Sequence, residues 1–167
     1  MFPQGNYYSE SGEFGELRSY LLAKLMMDPY MSEKEYSEHI NDFLKGYYGA
    51  GWFYIRTYID TITTAATNCQ GIYDSPFDAV PLETYAYMED LLELCWSKAE
   101  ELAGSKVDNV KRSRLQWRYI RLCLHPDKTE ANLFVRDVQR YGVYWKEGSN
   151  GASAPSADRL SEAPTRW

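Results

Sequence analysis

The chain has 167 residues, enough for one domain with a tail and for a core hiding roughly 70% of the surface that an unfolded chain of this size exposes. Its 44% apolar and 25% charged fractions are ordinary for a globular protein, which sets intrinsic disorder aside. A formal net charge of −6 argues against a general nucleic-acid partner, since phosphate contacts need a basic face, and no apolar run is long enough to span a bilayer as a helix.

Residues 1–11 are rich in Gly, Ser and Tyr and read as an irregular lead-in. The first helix is expected over about residues 12–27. Phe14, Leu17, Leu21 and Leu25 form its apolar stripe, widened by Leu22 and Met26, and Asp28-Pro29 stops it. Ser32 and Glu35 form a capping box for the second helix, whose inner side is Tyr36, Ile40, Phe43, Leu44 and Tyr47. Lys34 and Glu38 pair on its outer side. Gly46, Gly49 and Gly51 punctuate the next turn. A third helix follows over about residues 50–68, with Trp52, Ile55, Ile59 and Ile62 at helical spacing.

Residues 69–80 read as a loop, and Pro81 suits the first turn of a fourth helix. Tyr85, Met88, Leu92, Cys95, Ala99 and Leu102 line one face of that helix beside Trp96, and Gly104 ends it. Ser105 and Asp108 suggest a second capping box before a fifth helix, with Val110, Trp117, Ile120 and Leu124 inward and Pro126 as the stop. A shorter sixth helix is expected over residues 129–141, closed by Gly142, with Val143-Tyr144-Trp145 as a brief extended segment. The fold class is therefore all-α: an up-and-down array of five or six helices. The helical domain spans residues 12–148, and an extended or poorly ordered tail follows over 149–167.

Candidate chemistry is sparse. Cys69, Cys95 and Cys123 are odd in number, widely spaced and without a Cys-x-x-Cys pair, so they read as small buried hydrophobes in a reducing, cytoplasmic setting. His39 flanks the apolar side of the second helix as a structural histidine, and neither it nor His125 opens a metal-ligand spacing. The carboxylates Glu89, Asp90, Glu93, Glu100 and Glu101 look like a solvated helix face. No pair stands out as the facing carboxyls of a glycosidase. No catalytic residue, metal or cofactor is assigned to this chain, and it is not read as an enzyme in its own right. Tyr48, Phe53 and Tyr54 are the aromatics expected to leave the core stripe and form an interface patch.

Two resemblances arise. His125-Pro126-Asp127-Lys128 matches the loop signature of J-domain co-chaperones. A basic helix carrying Lys111, Arg112, Arg114, Arg118 and Arg121 precedes it. That family's upstream Asp-Tyr-Tyr-x-x-Leu-Gly-like opening is missing, and Asp137 stands where its third helix wants an apolar residue. The second resemblance covers almost the whole chain. It rests on Gln4-Gly5-Asn6-Tyr7, the run from Gly15 to Leu25, Asp28-Pro29, Phe43-Leu44-Lys45-Gly46-Tyr47-Tyr48-Gly49, Tyr54-Ile55-Arg56 and Tyr58-Ile59-Asp60. It continues through Arg114-Leu115-Gln116-Trp117-Arg118-Tyr119, Arg140-Tyr141-Gly142-Val143, Glu147-Gly148 and Trp167. These segments resemble the C-terminal region of large bacterial glycoside-hydrolase-like proteins of uncharacterised function. Those proteins have a hexosaminidase/α-glucuronidase-type N-terminal domain, then a (β/α) barrel, then helices.

The resemblance implies that Gln4 and Asn6 hydrogen-bond a sugar, with Tyr7 as a stacking face at the end of the last barrel strand. Catalytic carboxylates would lie upstream. The partners it implies are that barrel, a glycan at the parent site and a second copy of the chain. Pro3 and Met27 depart from the pattern, standing where an acidic or polar residue and a tryptophan are expected. A helix built to pack on a barrel should keep an apolar face, expected here on the first or third helix.

Overall fold

The computed structural model describes residues 14–66 and 80–143, which fall into two compact units, one of residues 14–111 and one whose described part is 112–143. Every regular element among them is helical: α1 (Gly15–Met27), α2 (Glu33–Tyr48), α3 (Trp52–Ala65), α4 (Leu82–Leu102), α5 (Val107–Leu124) and α6 (Lys128–Tyr141), with 3₁₀ turns at Gly49–Gly51 and Gly104–Lys106. The all-α array is therefore the observed fold. The lead-in, the loop over 67–79, Tyr144-Trp145 and the tail lie outside the described residues.

In the unit of residues 14–111, neighbours in sequence are neighbours in space. α1 packs on α2, α2 on α3, and α3 on α4. The core holds Leu17 and Leu21 of α1, Leu44 and Tyr48 of α2, Ile55 and Tyr58 of α3, and Tyr85, Leu92, Cys95, Trp96 and Ala99 of α4. Phe14 ends the entry to α1 in the left-handed region (φ 48°), a conformation that costs a bulky residue about 1–3 kcal/mol. Its ring stacks on Trp96 at 6.3 Å and tilts against Tyr58 at 6.2 Å, so this packing holds the backbone there.

The α2–α3 corner depends on glycine. Gly49 has φ 63°, which favours a residue without Cβ. Gly51 is buried against α4: a Cβ there would lie 2.4 Å from the Ala99 carbonyl oxygen. The start of α5 is tied to this corner by Asn109, whose Nδ2 donates to the Tyr47 carbonyl at 2.8 Å.

The capping box at Ser32 forms as expected. The Glu35 N–H donates to Ser32 Oγ at 3.3 Å, and the Ser32 N–H donates back to Glu35 Oε2 at 2.9 Å. The box expected at Ser105 does not form. Ser105 lies inside the 3₁₀ turn that leads directly into α5, so it never takes the extended backbone an N-cap needs. Helix α1 starts at Gly15 instead of residue 12. Leu22, Leu25 and Met26, read as core, are exposed, as is Leu102 at the end of α4.

The described part of the second unit is a helical hairpin. Leu115 and Leu122 of α5 meet Ala131, Phe134 and Val138 of α6, with Tyr119, Val135, Tyr141 and Val143 packed around them. Gly142 closes α6 in the left-handed conformation (φ 64°). Helix α5 buries two sides, Leu115 and Leu122 on one and Val110 and Trp117 on another, whereas Ile120 and Leu124, expected inward, are half-buried.

Candidate functional site

The aromatic patch expected from Tyr48, Phe53 and Tyr54 is only partly present. Tyr48 is fully buried and belongs to the core: it lies one turn after Leu44, on the side of α2 that faces inward, edge-on to Tyr47 at 4.9 Å. Phe53 is 59% exposed at the start of α3, and Tyr54 is half-buried beside it, the two rings edge-to-face at 6.1 Å. Trp52 is half-buried, with Lys45 Nζ 5.0 Å from its ring centroid. His39 is half-buried as well. Its ring sits edge-on to Tyr20 at 6.1 Å, which fits a packing histidine. Gln4, Asn6 and Tyr7 lie outside the described residues.

A larger apolar surface lies on α1. Leu22, Leu25, Met26 and Met27 are exposed, Met27 at 82%, and Tyr30 just beyond the helix is 95% exposed. At about 100° per residue Leu22, Met26 and Met27 point away from Leu17 and Leu21, while Leu25 lies one turn beyond Leu21 on the same side, so the apolar residues of α1 go round most of its circumference. Sequence periodicity identified the residues but not which side would have a partner.

The His125-Pro126-Asp127 segment is exposed between α5 and α6. Asp127 has a structural task there: it is the N-cap of α6, and its Oδ1 accepts the Glu130 N–H at 2.7 Å. The basic helix before it is not a free surface. Arg118 donates from Nε to Glu130 and from Nη1 to Asp137, each at 2.7 Å. Burial alone would raise the Asp137 carboxyl, but the bonds from Arg118 and Arg136 outweigh it and hold it below the ordinary carboxylate range. Asp137, out of place for a J-domain helix, is here the partner of Arg118.

Cys69 lies outside the described residues, and the two described cysteines are masked. Burial pushes the Cys95 thiol up, and burial raises Cys123 to about 11, Tyr119 pulling slightly the other way. Among the described residues no group of three His, Cys, Asp or Glu side chains converges as a metal site, and no helix is long and apolar enough to cross a membrane.

Residues 1–60 match the family model of a domain of unknown function, DUF4838. The matched region includes α1, α2 and the first part of α3, and hence the exposed face of α1. Of the segments that carry the glycoside-hydrolase-like resemblance, those from Gln4 to Asp60 fall inside it, and those from Arg114 onward do not. No curated protein and no solved structure matches the chain. The matched family is uncharacterised and brings no activity with it.

Proposed function

We propose that this chain is a non-catalytic, C-terminal helical domain of a carbohydrate-active, glycoside-hydrolase-like protein, serving to buttress a barrel or to hold an oligomer together. One observation carries the reading. Helix α1 is apolar round most of its circumference, and a helix of that kind is normally buried on more than one side. Among the described elements it packs chiefly on α2, with Tyr20 against His39 and Phe43, and of its leucines and methionines only Leu17 and Leu21 are buried. The family match falls on the same stretch of chain. On this reading Gln4, Asn6 and Tyr7 reach a glycan held mainly by upstream strands, and the chemistry belongs to that upstream scaffold.

Methionine oxidation tests this. Met26 and Met27 react readily with hydroxyl radicals when exposed. In a protein extended upstream through its natural reading frame they should be protected several-fold relative to the 167-residue chain, while Met31 serves as an internal reference. Equal oxidation of Met26 and Met27 in the two proteins would end the proposal.

The exposure of His125, Pro126 and Asp127 favours a second reading, a J-domain-like co-chaperone. Arg118, held by Glu130 and Asp137, weighs against it. Adding the chain to an Hsp70-type chaperone should leave ATP hydrolysis at its basal rate. Stimulation abolished by His125→Gln would reverse this ranking.

A further inference from the structure

Helix α4 carries a second exposed apolar face, unpartnered among the described residues, and its electrical setting differs from that of α1. Tyr87, Leu91, Leu94 and Leu102 recur along one side of the helix, Tyr87 at 92% exposure, and they run beside the buried row of Leu92, Cys95 and Ala99. The stripe is about 22 Å long at 1.5 Å per residue. Glu83, Asp90 and Glu101 lie along its outer edge. Lys98 projects from within the stripe, but its charge is tied to Glu101 at 2.6 Å. Among the described residues Glu83 and Asp90 have no cationic partner.

We infer that this face is a docking groove for a basic amphipathic helix of another protein, its leucines seated on Leu91 and Leu94 and its Lys or Arg side chains set against Glu83 and Asp90. Charge selects this occupant. Two copies of the chain joined antiparallel through α4 would set one acidic edge beside the other, and any pairing of copies brings together two molecules of net charge −6. A nucleic acid or an anionic lipid surface is repelled by the same edge. A helix with a leucine row flanked by cations satisfies both the apolar stripe and the free carboxylates.

The probe is a pair of fluorescent synthetic peptides with the same leucine spacing, one flanked by lysines and the other by glutamates, titrated into the full chain at low salt. The lysine peptide should bind at least tenfold more tightly than its acidic twin. Glu83→Lys with Asp90→Lys should invert that order, Glu83→Gln with Asp90→Gln should abolish the preference, and Leu91→Ser with Leu94→Ser should weaken both peptides. These positions are exposed, and circular dichroism of each variant confirms that the fold is kept. Equal binding of the two peptides, or none by either, overturns the inference. So does a self-associated chain that Leu91→Ser with Leu94→Ser converts to a monomer.

Discussion

Two glycines five positions apart should respond to alanine with opposite signs. Gly51 has a right-handed backbone (φ −77°), so alanine meets no conformational strain of its own; the obstacle is space. Its Cβ would stand 2.4 Å from the Ala99 oxygen, 2.9 Å from Ala99 Cα and 3.0 Å from Ala99 C, all of them backbone atoms of α4 that no rotamer change can move. Restoring an ordinary contact of about 3.5 Å requires the 3₁₀ turn and α4 to separate by roughly 1 Å, and a gap of that size forfeits a quarter to a half of the dispersion attraction across it. Gly51→Ala should therefore cost about 3 kcal/mol, the upper end of the range for overpacked sites. For a chain of this length that lowers Tm by about 2–4 °C per kcal/mol. Gly46 lies inside α2 with nothing within 4 Å of its notional Cβ, so Gly46→Ala should stabilise by about 0.5–1 kcal/mol through helix propensity. Urea titrations followed by circular dichroism measure both. A Gly51→Ala midpoint indistinguishable from that of the parent chain would refute the packing argument, whatever Gly46→Ala does.

Ser32→Ala removes a side-chain cap and should cost about 1 kcal/mol in the same titration. It should also let the Glu35 carboxyl, now held low chiefly by the Ser32 hydroxyl, rise toward its ordinary value in an NMR titration. Asp137→Asn should destabilise the α5–α6 hairpin at neutral pH. Because the folded-state value of Asp137 is depressed, its contribution is complete above the ordinary carboxylate range and fades as pH falls through the lower folded value. The stability gap between the parent chain and Asp137→Asn should thus close below about pH 4, and a gap that widened there would contradict the assignment. Cys95 and Cys123 should resist alkylation at pH 8 in the folded chain and react once urea is added, as read by mass spectrometry of the labelled peptides.

What the sequence revealed was whatever depends on near neighbours. The Ser32–Glu35 box, the Pro81 entry to α4, the Gly142 stop and the buried row of α4 all follow from residues within one or two turns of each other. The errors arose where a distant segment decides. Ser105 carries the residue type of a cap, yet the chain leaves α4 through a 3₁₀ turn that denies it the geometry. Tyr48 looks like a surface aromatic until Leu44 fixes which side of α2 is inward. Tyr58 is core, paired with Trp96 at 4.9 Å, although the isoleucine row of α3 is the stronger periodic pattern. Of the expected interface residues, Phe53 is exposed, Tyr54 half so, and Tyr48 not at all. The α1 face was legible as hydrophobicity; its lack of cover among the described residues was a fact about packing.

The two exposed faces differ in a way that salt should separate. The α1 face joins the uncharged Leu22, Leu25, Met26 and Met27, with Arg18 one turn before Leu22, a mainly apolar composition that suits a permanent, core-like contact. The α4 stripe is edged by carboxylates, a pattern that steers an oppositely charged partner and gives way to screening. The Debye length falls from about 10 Å at 0.1 M salt to about 3 Å at 1 M. Over that interval the association rate of the lysine-flanked peptide should drop several-fold, while protection of Met26 and Met27 in the upstream-extended protein should hold steady, since apolar burial is not screened. If both signals fell together, the α1 contact would be electrostatic in origin, and the case for α1 as a helix shaped by a missing apolar neighbour would fail.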